Sequence, residues 1–175
     1  MAATPFSNKA TRETIHLLKY GKIENAAEDL SILMDKYLEK IQKELAEWLT
    51  EEIILIPIPL HRQKEKERGF NQSWLLTQAV TEILSARNPD KFFSPEQKIL
   101  ERTKNTSSQT QCKDYGQREK NIEGSFHIKD PEKIKNKTII IVDDVFTSGA
   151  TMREAVKTIK QAGAKKIMAL VIAKA

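Results

Sequence analysis

Ile139-Ile140-Ile141-Val142-Asp143-Asp144-Val145-Phe146-Thr147-Ser148-Gly149-Ala150-Thr151 is the stretch on which the reading of this chain turns. Thr138 to Val142 is a β-branched run without polar alternation, the pattern of a strand covered on both faces in a parallel sheet. Met152, Ala155, Val156 and Ile159 follow at helical spacing, Gly163 supplies a stop, and Ile167 to Ile172 forms a second buried run. Residues 138–173 therefore predict a βαβ unit, with the right-handed crossover that strand twist imposes. Asp143 and Asp144 fall at the carboxyl tip of its first strand, where open α/β sheets bind ligands.

The turn that follows suits an anion. Gly149 lets the backbone approach a ligand closely, and the N–H groups from Ser148 to Met152 face outward at the positive end of the next helix. Thr147, Ser148 and Thr151 add hydroxyl donors, and Ala150 starts the helix. Asp143 and Asp144 are acceptors suited to a pair of sugar hydroxyls or to a hydrated metal ion. A phosphate at one end and a vicinal diol a few ångströms away describe ribose 5-phosphate.

Outward from this unit, Ile53 to Pro59 is a second continuous apolar run, a parallel strand cut short by prolines. His61 to Arg68 is charged and reads as a loop, leading to a helix capped by Asn71 with Leu75, Leu76, Ala79, Val80, Ile83 and Leu84 inward and ended by Asn88-Pro89-Asp90. Gln97 to Arg102 fits a strand. Thr103 to Gly124 is nearly all polar, and loops of that length are functional lids or disordered. Upstream, a short helix spans Asn8 to Tyr20, with Thr11 or Asn8 as cap and Gly21 as stop. One longer helix carries the stripe Ile23, Ala26, Leu30, Met34, Leu38, Ile41, Leu45 and Leu49, for core packing or for the seam of a homodimer.

At 175 residues and 39% hydrophobic content the chain has material for one core, so a single domain is expected, with a helical segment over 1–50 and the core over 51–175. The apolar runs are far below the roughly 20 residues of a membrane span, and the first residues lack the apolar stretch of a secretory signal, which points to the cytoplasm. Cys112 is the single cysteine, excluding an internal disulfide or a multi-cysteine zinc site. The net charge of +5 favours anionic partners. GxxxxGK[ST] and GxGxxG phosphate motifs are both absent. The Ile-Ile-Ile-Val-Asp-Asp run also resembles a receiver domain's acidic pocket, but only about 30 residues follow it, too few for the alternating units such a fold requires. Of the histidines His16, His61 and His127, only His61 lies near this chemistry, as a candidate base.

VDDVFTSGAT resembles the phosphoribosyl-pyrophosphate signature of type I phosphoribosyltransferases. Pro57-Ile-Pro-Leu, Arg68-Gly-Phe-Asn-Gln72, Arg102-x-Lys-x-Thr106-x-x-Gln109, Arg118-x-x-Asn121 with Gly124-Ser-Phe126, and Ala162-Gly-Ala164 are similar to motifs of the ComF family, and Ile15-x-x-Leu-Lys-Tyr-Gly21 resembles its pre-core region. The resemblance implies an α/β fold, a parallel sheet flanked by helices. It also implies that the acids contact the ribose hydroxyls and that the loop amides hold the 5-phosphate. Leu60 and His61 would form the pyrophosphate loop. A flexible hood loop over about 102–124 would close on the ligand, with Arg102, Lys104 and Arg118 neutralising the leaving group.

The implied substrate is phosphoribosyl pyrophosphate with Mg²⁺ bridging its oxygens, and the acceptor is not named by any motif. Thr147 stands where hypoxanthine-type relatives carry an acid, which disfavours that activity. Longer ComF-type proteins carry a four-cysteine zinc module that this sequence does not contain. The family's association with natural transformation implies a rival role, a competence accessory that binds single-stranded DNA or other competence proteins. Arg62, Lys64, Lys66, Arg68 and Phe70 would supply its basic and aromatic surface, although Glu65 and Glu67 interrupt it.

Overall fold

The computed structural model describes residues 1–20, 26–49, 52–104 and 122–175. Its centre is a five-stranded parallel sheet in the order β1-β7-β6-β2-β3, formed by β1 (Ala2–Pro5), β2 (Glu52–Pro57), β3 (Phe92–Pro95), β6 (Thr138–Phe146) and β7 (Lys166–Lys174). A separate antiparallel ribbon pairs β4 (Leu100–Arg102) with β5 (Phe126–Ile128).

Strand alternation sorts the apolar residues into two layers. Ile53 and Leu55 of β2, Ile140 and Val142 of β6, and Leu170 and Ile172 of β7 pack on one side. They meet α1 (Lys9–Tyr20), α2 (Ala26–Lys40), α3 (Gln42–Ala46) and α5 (Gln72–Arg87) there. Ile54, Ile56, Ile139, Ile141 and Val171 face the other side, against α7 (Ala150–Gln161), the ribbon, and Ile134 of the short α6 (Pro131–Ile134). Both faces of β2 and β6 are thus covered, which is why their sequences read as unbroken apolar runs.

From β2 the chain crosses through α5 to β3 on one side, and from β6 through α7 to β7 on the other. The carboxyl ends of β2 and β6 therefore flank the point where the winding reverses, and a crevice opens between their two exit loops.

Several expectations are corrected. His61 to Arg68 is not a loop: Arg62–Arg68 is helix α4, because the Gln63 amide donates to His61 Nδ1, Gln63 Nε2 donates to Glu67 Oε1, and Gly69 ends it at φ 92°. The long upstream helix is two, since Ile41 leaves helical geometry at ψ 14°; no Gly or Pro in the sequence marks that break. The segment 1–50 also contains a strand, β1, whose register pairs Ala2 with Val171. The strand expected over Gln97 to Arg102 is confined to Leu100–Arg102. Asp143 and Asp144 lie near the carboxyl end of β6, as expected, and the strand runs on to Phe146. No described helix is long and apolar enough to cross a membrane.

Candidate functional site

Two loops and four helices converge at the reversal point. Ile58 continues from β2 and its amide donates to the Val142 carbonyl of β6 at 2.9 Å, which holds the two exits side by side. Asn71 fixes the start of α5 twice: its Oδ1 accepts from the Ser73 amide at 3.0 Å, and its Nδ2 donates to the Ile58 carbonyl at 3.2 Å. The turn after β6 needs a glycine. Gly149 sits at φ 76°, and a Cβ there would lie 2.4 Å from Phe146 Cζ and 2.8 Å from Arg153 Nη1. Ser148 is buried behind that turn, its Oγ accepting from the Ala150 amide at 3.4 Å.

A cavity of about 180 Å³ opens between the exits; Asp143, Asp144, Thr147, Gly149 and Thr151 line it from the signature, Ile58 and Leu60 from the β2 exit. Lys19, Lys64, Gln72 and Arg102 complete its polar wall. Three cations thus face two carboxylates in one pocket.

The acids differ. Asp144 is 3% exposed, and Lys19 Nζ, from the N-terminal helix, lies 2.8 Å from its Oδ2. Burial disfavours the Lys19 ammonium, but the charge and hydrogen bond of Asp144, aided by Asp143, outweigh it and hold the group above its ordinary range. Asp143 is half-buried. Its Oδ1 accepts from Ser73 Oγ and from the Asp144 amide, each at 2.9 Å. Desolvation and then the neighbouring Asp144 charge push its carboxyl up to about 7, against the opposing pull of Lys19 and those hydrogen bonds.

The cations crowd one another. Burial, then the charges of Arg102 and Arg68, pull Lys64 down. Burial lowers Arg102 too, with Asp143 opposing, and its guanidinium sits 5.7 Å from the Phe126 ring centroid.

The sequence-derived residues divide accordingly. Asp143, Asp144, Thr147, Gly149 and Thr151 come together in one cavity with Leu60 and Arg102, while Ser148 and Ala150 brace the turn from behind. His61 does not join them. It caps α4 and lines a neighbouring cavity of about 670 Å³ with Arg62, Lys98 and Lys129, which shares Leu60 and Arg102 with the first. Lys104 is exposed, and its ammonium donates to the Glu123 carbonyl at 2.7 Å rather than entering the cavity. Arg118 and Cys112, with most of the hood loop, lie outside the described residues.

Sequence reasoning missed the site roles of Lys19, Ser73 and Gln72. For Lys19 the one available signal was its place in the pre-core motif. Ser73 lies two residues after the Asn71 cap, so it is presented at the helix start.

A model of the phosphoribosyl transferase domain matches residues 85–175, over half of the chain. This chain belongs to that family. The parallel sheet with helices on both faces is the phosphoribosyltransferase fold that the sequence implied. The ComF resemblance is borne out by relatives. Competence protein F of Haemophilus influenzae is 29% identical over 124 residues, 69% of this chain and 50% of that protein. DNA utilization protein YhgH of Escherichia coli O6:H1 is 29% identical over 153 residues, 87% of this chain and 62% of its own. Competence protein ComFC of Bacillus subtilis is 28% identical over 110 residues, 63% and 39%. The chain thus spans between 39% and 62% of the length of these relatives.

Proposed function

We propose that the chain binds phosphoribosyl pyrophosphate with Mg²⁺ in the cavity between the β2 and β6 exits and transfers its 5-phosphoribosyl group to an acceptor. The observation that carries this reading is that the acid pair, the Thr147–Thr151 turn and the cations Lys19, Lys64 and Arg102 line one cavity.

In this reading Asp143 and Asp144 accept from the ribose hydroxyls, and the amides at the start of α7 hold the 5-phosphate against the helix dipole. The C1–O bond then breaks, pyrophosphate departs with its electron pair, and the acceptor nucleophile bonds to C1. Lys64 and Arg102, already desolvated and mutually repelled, gain most when negative charge develops beside them.

The donor set fits Mg²⁺. Both described hydrogen bonds to Asp143 fall on Oδ1, leaving its second oxygen as a hard donor on the cavity wall. No cluster of three or more His, Cys, Asp or Glu that could hold a metal exists among the described residues, and Mg²⁺ characteristically takes one or two carboxylates plus waters and substrate phosphates. When bound it would neutralise charge on the diphosphate.

The test is pyrophosphate release from phosphoribosyl pyrophosphate across a panel of bases and amines. Release with at least one acceptor, reduced by roughly 10² or more in Arg102→Gln, is expected. Absence of release with every acceptor would remove the transfer step.

A second reading, a competence accessory that binds single-stranded DNA, draws on the names of the relatives and on exposed Arg62 and Lys66 of α4. Helix α4 weakens it by turning Lys64 toward the cavity and away from those two. Salt-dependent oligonucleotide binding lost in Arg62→Gln/Lys66→Gln would favour it.

A further inference from the structure

The acid pair meets a cation from the far end of the chain. Lys19 is the next-to-last residue of α1, and its Nζ lies 2.8 Å from Asp144 Oδ2, with 22% of its own side chain and 4% of the Asp144 side chain exposed. An ion pair this enclosed is costly to break from one side, because the charge that remains is buried and unpaired. The contact is also built in by packing. Ile15 and Leu18 of the same helix are buried in the core, so the ammonium is delivered to Asp144 by the docking of α1 as a whole.

The charges on the cavity wall point the same way. Lys19, Lys64 and Arg102 face Asp143 and Asp144, three positive groups against two negative, so the wall stays net positive even with both acids ionised. The Arg68 charge adds to the field at Lys19. A free divalent cation placed on the acids would have to displace an ammonium or lie against it, whereas an anionic ligand is attracted. An ammonium has three N–H donors. One serves Asp144, and the place of Lys19 on the cavity wall brings the group within reach of a ligand's oxygens.

We propose that Lys19 is the resident counter-cation of the acid pair, taking the position a divalent ion would need there, so that the sugar end of the ligand is recognised without metal. This role presupposes that the cavity holds a phosphoribosyl group. It divides the ligands into two kinds. Sugar phosphates without a diphosphate bind in the absence of any divalent ion. A diphosphate carries its own Mg²⁺ in, and the second oxygen of Asp143, outside both described hydrogen bonds of that side chain, is the donor left to meet it.

The test sets the whole chain beside Lys19→Ala, which removes the ammonium and leaves room for a hydrated ion, and Lys19→Arg, which keeps a cation. Melting is followed in chelator and in Mg²⁺ at matched ionic strength. Mg²⁺ alone is expected to move the unaltered chain and Lys19→Arg by less than about 1 °C, and to raise Lys19→Ala by roughly 3–6 °C at about ten times its dissociation constant. Calorimetric titration with ribose 5-phosphate then reads the ligand. Its affinity for the unaltered chain should agree within about twofold between chelator and Mg²⁺, and for Lys19→Ala it should fall roughly tenfold or more in chelator and recover in Mg²⁺. An equal Mg²⁺ response in the unaltered chain, or none in folded Lys19→Ala, overturns the proposal. So does a loss of about tenfold or more when chelator replaces Mg²⁺ in the unaltered chain, a result that stands even where Lys19→Ala does not fold. Failure of ribose 5-phosphate to bind the unaltered chain in either medium overturns the phosphoribosyl reading instead, and the melting comparison still decides whether Lys19 keeps the metal off the acids.

Discussion

Lys19 and Ser73 place two adjacent carboxylates in different environments, and the consequences are measurable. For Asp143 the folded chain holds a proton more tightly than the unfolded chain, because its carboxyl rises from 3.8 to about 7. Its contribution to stability therefore falls as pH climbs through that window and is level above it. Asp143→Asn keeps an oxygen for Ser73 and the Asp144 amide while removing the charge. It is expected to melt about 2–10 °C higher than the unaltered chain at pH 8, for roughly 1–3 kcal/mol, and close to it at pH 4. Melting curves from pH 4 to 8 check this, and an unchanged pH slope would contradict it.

Lys19 is the reverse case. In Lys19→Met a carboxylate that is 3% exposed loses its counter-ion, and a loss of about 3–5 kcal/mol in urea unfolding is expected. Adding Asp144→Asn should restore much of it, as a double-mutant cycle would reveal. The acid pair was readable in the sequence because strand, turn and helix are contiguous there. Lys19 was not, since its meaning depends on where a distant helix docks, and nothing local records that.

Among elements, those that bury a continuous apolar face were legible: β2, β6, α7 and β7 follow from composition and period. The short strands β1 and β3, four residues each, are too short to show a period and exist through pairing with β7 and β2. Helix α4 escaped because none of its residues is buried; a cap and a glycine stop, not an apolar face, define it. Helix α5 has a small apolar stripe because Ser73 and Thr77 take part of its buried face, Thr77 Oγ1 bonding the Ser73 carbonyl at 2.6 Å. Its start is the hinge of the site. Asn71→Ala removes both the cap and the tie to Ile58, so a destabilisation of about 1–3 kcal/mol is expected. A change under a few tenths of a kcal/mol in chemical unfolding would show that the cap does not hold that junction.

At the scale of the molecule, the order β1-β7-β6-β2-β3 puts the signature and the β2 exit next to each other at the winding reversal, and the N-terminal helices supply a cation from the opposite end of the chain. The sequence located the glycine turn and the acids because that half of the site is one continuous segment. It could not show that Arg102 enters the cavity while Lys104 stays outside, because the β4–β5 ribbon, and not residue type, decides which side chains point inward.

The central claim is that residues 143–151 hold a phosphoribosyl group, and ligand-dependent melting with phosphoribosyl pyrophosphate and Mg²⁺ tests it most directly. At 100 times the dissociation constant the gain should be about 2.7 kcal/mol, a rise of roughly 5–10 °C for a chain of this size. Gly149→Val, whose side chain would occupy the space of Phe146 Cζ and Arg153 Nη1, should abolish the rise. An unaltered chain whose melting temperature does not move at millimolar ligand would contradict the account.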